Sequence, residues 1–246
     1  MDRLLYVSMT GAKHAQLRQA TVSHNLANVG TTGFRADLAA FRAVPVIGGP
    51  GHATRAYAVE QSTGSNFSQG PFQITGRELD VAVKGEGWIA VQTPTGEAYT
   101  RNGHFDIDAT GMLKTLDGQP VLGETGPLLV PENTRPSIAP DGTVSAIALD
   151  NPTQAVEIGR IRLVRADAAE LQKGNDGLFR LRNGEPAEAD ATVSLTVGGL
   201  EGSNVNAVEE LVSMISTQRH YDLQIRMMQT ADQNARAASQ LLSMNG

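Results

Sequence analysis

Apolar and polar positions divide the chain into three stretches. Up to about Asn28, Leu4, Val7, Ala15, Leu17, Val22 and Leu26 recur among helix formers with no proline, and Asn28-Val29-Gly30 closes the run. This spacing predicts a helix roughly 40 Å long at about 1.5 Å per residue. From about Phe41 to Gly202 the pattern shortens to alternating runs: Leu79, Val81 and Val83; Trp88 to Val91; Phe105 and Ile107; Ile158 to Val164; Val193 to Val197. Asn102-Gly103, Asp117-Gly118, Asp141-Gly142, Asp176-Gly177 and Asn183-Gly184 lie between them, dipeptides that accept the positive φ of tight hairpins. A β meander or barrel follows, entered by an extended connector at Pro45 to Thr54.

Helical spacing returns from about Asn204 for ~40 residues, or ~60 Å. Asn206 is placed to cap its start, with Glu209 three residues on. A seam runs through Leu211, Met214, Gln218, Tyr221, Ile225, Met228, Ala231, Ala235, Ala238 and Leu242, close to the 3.5 period of coiled coils. A helix of that length exceeds the width of a β domain of this size, and the doublets Leu211-Val212, Met214-Ile215, Met227-Met228 and Leu241-Leu242 widen its apolar stripe. It needs neighbours on more than one side. The expected fold is α+β: N- and C-terminal helices forming a coiled-coil-like helical domain (residues 1–40 and 203–246, discontinuous), an extended connector with β segments (41–78), and a central, mainly antiparallel β domain (79–202).

Charge sharpens that division. Arg3, Lys13 and Arg18 against Asp2 make the first 28 residues net +2, and three arginines against four acids make 204–246 net −1. With −6 overall, the middle holds −7, as befits a solvated body between ends that can pack closely. An acidic chain is a poor non-specific nucleic-acid binder. The absence of cysteine excludes disulfides, thiolate nucleophiles and sulfur-ligated zinc. No apolar run approaches the ~18 residues of a membrane span, and the start has no signal-peptide core, so any export is expected to use another route.

Motifs of known chemistry lack their contexts. Gly85-Glu86-Gly87-Trp88 imitates a dinucleotide fingerprint, but strand-like residues follow where a helix is required. Asp106-Ile107-Asp108-Ala109-Thr110-Gly111 imitates a calcium loop, with β-like flanks and Asp117 in place of the final glutamate. Asn66-Phe67-Ser68 is a short glycosylation match. His14, His24, His52, His104 and His220 show no metal-site spacing. Gly-x-Ser-x-Gly and Gly-Lys-Ser/Thr are both missing, and the pair Asp106 and Asp108 reads as surface acids. No catalytic, metal-binding or cofactor-binding residue, no cofactor and no small-molecule substrate is expected.

Asn25-Leu26-Ala27-Asn28 running into Thr31-Thr32-Gly33-Phe34-Arg35 resembles the signature of the flagellar axial proteins of rod and hook. Leu79-Asp80-Val81-Ala82-Val83, Gly85-Glu86-Gly87-Trp88 and Tyr99-Thr100-Arg101-Asn102-Gly103 resemble the family's shared β core. Leu200-Glu201-Gly202-Ser203-Asn204-Val205, with Met214-Ile215 and Gln218-Arg219, is similar to its C-terminal helix signature. Within the family, the Met1-Asp2 start, Trp88, Asp176-Gly177-Leu178-Phe179-Arg180 and Gln240-Leu241-Leu242-Ser243-Met244 are most like the proximal-rod member.

The resemblance implies a bacterial structural subunit exported unfolded by the flagellar type III apparatus, without a cleaved signal peptide. It would assemble in the periplasm, in the basal-body rod that carries motor torque to the hook, beside other proximal-rod proteins and the distal-rod protein. It also implies terminal helices paired antiparallel in an inner tube with β domains outside. The expected subunit contacts are Leu4, Val7, Leu17, Asn25, Leu26, Asn28, Gly33 and Phe34 from the first segment. From the last come Leu211, Met214, Ile215, Gln218, Tyr221, Ile225, Met228 and Leu242. Gly33 is expected to act as a joint and Phe34 as its anchor, the alternative being that Phe34 fills the β core. Competing readings are a distal-rod or hook-type subunit, a surface or carbohydrate-binding β module on a coiled-coil stalk, and a periplasmic hydrolase.

Overall fold

A computed structural model describes residues 3–45, 56–150 and 155–244. Contacts group the chain into two units: one of Met1–Asn28, Asp37–Gly64 and Val205–Gly246, the other of Val29–Ala36 and Ser65–Asn204.

The first unit is helical with a β ribbon. Helix α1 spans Arg3–Ala27, α2 spans Ala207–Met244, and β1 (Asp37–Pro45) pairs with β2 (Ala56–Ser65). Most of the connector expected at Pro45 to Thr54 lies outside the described residues. At α1's end Asn28 donates from N and Nδ2 to the carbonyl of His24 (3.2 and 2.9 Å), so an asparagine side chain helps close the last turn. Asn206 caps α2 by accepting from Val208 N at 3.1 Å. The 38 residues of α2 make it about 57 Å long.

The second unit is antiparallel β. Its strands are β3 (Phe72–Ile74), β4 (Val81–Lys84), β5 (Trp88–Thr93), β6 (Gly96–Thr100), β7 (Phe105–Ile107), β8 (Leu113–Thr115), β9 (Thr134–Ile138), β10 (Thr143–Ala148), β11 (Ala155–Arg160), β12 (Leu163–Val164), β13 (Leu171–Lys173), β14 (Phe179–Leu181), β15 (Ser194–Val197) and β16 (Gly199–Glu201). A five-stranded sheet runs β12-β5-β6-β14-β13 and a three-stranded one β11-β10-β9, while β15-β4, β16-β3 and β7-β8 form pairs. Every one of these pairings is antiparallel. Strand β5 is buried on both faces because successive side chains point oppositely. Ile89 enters a core with Val81, Phe105, Leu113, Val121 and Val144, whereas Trp88 and Ala90 enter another with Tyr99, Val164, Leu171 and Phe179.

Four of the five glycine turns take positive φ, at Gly118, Gly142, Gly177 and Gly184. Gly103 differs: a Cβ there would lie 1.8 Å from the Val81 carbonyl oxygen, so this glycine serves a close backbone approach. Gly85 and Gly87 form the β4-to-β5 turn, with no helix to receive a phosphate. The calcium-like loop is an Asx turn in which Asp108 accepts from Thr110 N (2.9 Å) and Met112 N (3.0 Å). Lys114 supplies the cation there, and its hydrogen bond leads those that hold the Asp108 carboxyl far below its ordinary range.

Candidate assembly interface

In the helical unit α1 and α2 pack along one another. Asn25 near the end of α1 meets Glu210 near the start of α2, while Gly11 faces Gln224, so the pair is antiparallel. Buried and half-buried positions on α1 run Leu5, Ser8, Ala12, Ala15, Gln19 and Val22; on α2 they run Ala207, Glu210, Met214, Thr217, Tyr221, Gln224, Met228 and Ala231. Both sets step by threes and fours. Ser8, Gly11, Ala12 and Ala15 keep the α1 side small. A Cβ on Gly11 would come 2.8 Å from Gln224 Cδ. Beside this line lies a cleft of about 250 Å³ bordered by His14, Arg18, Ser216, Thr217 and His220.

Asn25 is buried and ties three elements together. Its Nδ2 donates to the Asp37 carbonyl (3.1 Å) and to Glu210 Oε1 (2.9 Å), and its Oδ1 accepts from Asp37 N (2.8 Å). The start of β1 and the start of α2 are thus both fixed to the end of α1. His24 adds a hydrogen bond between its Nδ1 and Asp37 Oδ2 at 2.8 Å.

The segment that follows α1 is part of the β unit. Gly33 has φ +68°, donates its N–H to the Glu201 carbonyl (2.7 Å), and lies so close to Arg101 that a Cβ would sit 2.4 Å from its carbonyl carbon. Phe34 is buried beneath Lys173, whose Nζ is 3.9 Å from the ring centroid. Arg35 is fully buried and donates from Nη2 to Glu201 Oε1 at 2.5 Å, while Arg101 Nη1 reaches Glu201 Oε2 at 3.1 Å. Glu201 Oε1 also accepts from Gly70 N (3.0 Å), and Arg101 lies 5.2 Å from the centroid of the Trp88 ring. Burial holds the Arg101 guanidinium below its ordinary pKa against the opposing pull of Glu201. Asn204 completes the lock: its Oδ1 accepts from Ala36 N (2.8 Å) and its Nδ2 donates to the carbonyls of Asn66 (2.8 Å) and Ser68 (2.9 Å).

These segments are the ones that known families share. The model of the "Flagella basal body rod protein" matches residues 5–35, that of the "Flagellar hook protein FlgE/F/G D1 domain" matches 82–146, and that of the "Flagellar basal body rod FlgEFG protein C-terminal" matches 197–241. The chain is 44% identical to the flagellar basal-body rod protein FlgF of Escherichia coli K12 and 42% identical to FlgF of Salmonella typhimurium LT2, each alignment covering all of both chains. This chain belongs to the flagellar basal-body rod proteins. The FlgG rod protein of Buchnera aphidicola subsp. Schizaphis graminum is 32% identical over 96% of this chain and 98% of its own.

The residues expected at rod-subunit contacts fall into four groups in this member of the rod family. Met214, Tyr221, Ile225 and Met228 of α2, and Val7, Leu26 and Asn28 of the first segment, are half-buried, and Asn25 is buried at the junction. Leu17, Leu211, Ile215 and Gln218 are exposed. Gly33 and Phe34 pack within the β unit. The side chains of Leu4 and Leu242 lie outside the described residues. Sequence reasoning omits Ser8, Ala12, Thr217 and Gln224, which are small or polar; the signal that finds them is their spacing of three and four. It also omits Arg35 and Glu201, whose partnership across the sequence leaves no local pattern.

Proposed function

We propose that this chain is a structural subunit of the proximal segment of the flagellar rod. Its helical unit joins neighbouring subunits through coiled-coil-like contacts, so that the assembly carries motor torque to the hook. The observation that carries the reading is full-length similarity to FlgF proteins, with both terminal signatures in register. Large apolar side chains exposed on both helices, among them Met9 and Leu17 on α1 and Val208, Val212 and Ile215 on α2, support it, since solvent-facing stripes of this kind mark protein contacts. Its partners are other rod proteins, and its route is export by the flagellar type III apparatus into the periplasm, a passage that a cysteine-free chain makes without forming disulfides.

The test is purification of hook–basal bodies from cells carrying a tagged full-length chain in place of their own FlgF. Restored motility and tagged protein in the rod fraction are expected. Motility restored with the tag absent from basal bodies, or no restoration by a well-expressed chain, overturns the reading.

A further inference from the structure

Asn-Gly occurs at Asn102-Gly103, Asn183-Gly184 and Asn245-Gly246, the last outside the described residues. In sequence these pairs are equivalent: each sets a carboxamide one residue before a backbone nitrogen that no neighbouring Cβ shields. The fold of the β unit makes the first two very different.

Asn183 and Gly184 lie in an exposed turn after β14, and a Cβ on Gly184 would meet nothing within 4 Å. The Asn183 side chain folds back over the following peptide as an Asx turn, its Oδ1 accepting from Glu185 N at 3.0 Å. This brings the carboxamide carbon towards Gly184 N and sets a donor where negative charge would gather on Oδ1. Among the described residues nothing accepts from Asn183 Nδ2, so that group faces water. One bond opposes attack, from Gly184 N to the Leu181 carbonyl at 3.0 Å, and an exposed turn bond of this kind opens readily.

Asn102 is 7% exposed and held at both ends. Its Oδ1 accepts from Thr32 Oγ1 (2.7 Å) and His104 N (3.1 Å), and its Nδ2 donates to Asp117 Oδ2 (3.4 Å). Gly103 is packed against the Val81 carbonyl, which blocks the backbone rotation that would bring its nitrogen onto the carboxamide. A carboxylate in place of that carboxamide would also face Asp117.

We propose that Asn183 is a site of spontaneous deamidation in the folded chain, and that packing protects Asn102. Once solvent hydroxide has taken its proton, the Gly184 nitrogen bonds to Asn183 Cγ. The Cγ–Nδ2 bond breaks, and Nδ2 gains a proton and leaves as ammonia. Water then opens the cyclic imide. Attack at Cγ gives aspartate, whereas attack at the main-chain carbonyl leaves Gly184 joined through Cγ, an isoaspartate with an extra methylene in the backbone. In sum, asparagine and water become acid and ammonia, with no oxidant or reductant. The turn gains a negative charge beside Glu185. Pairing of Leu181 with Leu171 and the bond from Ala187 N to Tyr99 Oη (2.6 Å) confine the change to the turn.

This chemistry is independent of the rod reading. Its test is incubation of the full-length chain at mildly alkaline pH, either folded or in denaturant, followed by digestion and mass spectrometry of the peptides. Enzymatic methylation scores isoaspartate. In the folded chain conversion at Asn183 should exceed that at Asn102 by about tenfold or more, giving both acids, while in denaturant the two should convert at similar rates. An unconverted Asn183 in the folded chain, or equal conversion of both sites there, overturns the proposal. Aspartate formed without isoaspartate overturns the imide route.

Discussion

Replacing Glu201 with Ala should destabilise the β unit by about 3 to 5 kcal/mol, because it strands two buried guanidinium groups. Glu201 takes one N–H from Arg35 at 2.5 Å, one from Arg101 at 3.1 Å and the backbone N–H of Gly70 at 3.0 Å. Arg35 and Gly70 lose that acceptor outright, while Arg101 keeps the carbonyls of Val83 (3.3 Å) and Gly85 (2.7 Å) but loses its counter-charge. Two cations that shared one anion are left facing each other, and Coulomb repulsion adds to the desolvation of their unmatched N–H groups. A loss of this size corresponds to a fall in melting temperature of about 10 °C for a domain near 150 residues.

The assay is built into the chain. Trp88 is its one tryptophan, and Arg101 lies over that ring, so tryptophan fluorescence during denaturant unfolding reports on this unit. A shift in midpoint without a change in slope gives the energy. Replacing Arg35 and Arg101 by Met and Glu201 by Leu in one chain should recover most of the loss, since an apolar cluster needs no compensating charge. A Glu201→Ala chain within about 1 kcal/mol of the parent would refute the argument from stranded charge. A triple variant no better than Glu201→Ala would show that packing, and not pairing, sets the cost.

Phe34→Ala should destabilise the same fluorescence-monitored transition by about 3 kcal/mol as the loss of a buried ring, and Gly33→Val should do so as well, having both positive φ and no room for a Cβ; unchanged unfolding of either variant would return these residues to the role of a joint acting only in assembly. Burial pushes the Tyr99 phenol from 10.0 to about 12, against the opposing hydrogen bond from Ala187 N. Since the folded value is raised, this group's contribution is complete below about pH 10 and is lost as pH climbs towards 12. Absorbance titration of the folded chain should show a late phenolate phase that Tyr99→Phe removes; four tyrosines titrating together near pH 10 would contradict it.

The helices and the antiparallel strands are legible in the sequence because each rests on local rules: periodicity, an asparagine cap, and glycines at turns that require positive φ. What the sequence does not expose is which of several apolar lines on a long helix meets which partner. The seam read from the sequence takes in Leu211 and Gln218, which are exposed, beside Met214, Tyr221, Met228 and Ala231, which lie on the buried line. The line that meets α1 is instead set by the smallness of Ser8, Gly11, Ala12 and Ala15, against which Thr217, Tyr221 and Gln224 fit. The partner's shape decides the register, and that shape is remote in sequence.

The same reasoning explains why the segment after α1 is legible as a signature while its anchoring is not. Thr32-Gly33-Phe34-Arg35 stands out because a glycine beside an aromatic and a charge has no place in a helix. An arginine in a polar-looking turn would ordinarily be solvated, since ionising a buried guanidinium without a partner is prohibitive. Its burial becomes affordable only with Glu201, 166 positions away, and Glu201 in turn sits in a strand whose neighbours Gly199 and Gly202 leave room for backbone to approach. Each half of the pair looks misplaced alone. A charged residue in a glycine-bordered strand and another in a turn beyond a helix are therefore a joint signal: where two such anomalies of opposite sign occur in one chain, burying them against each other satisfies both.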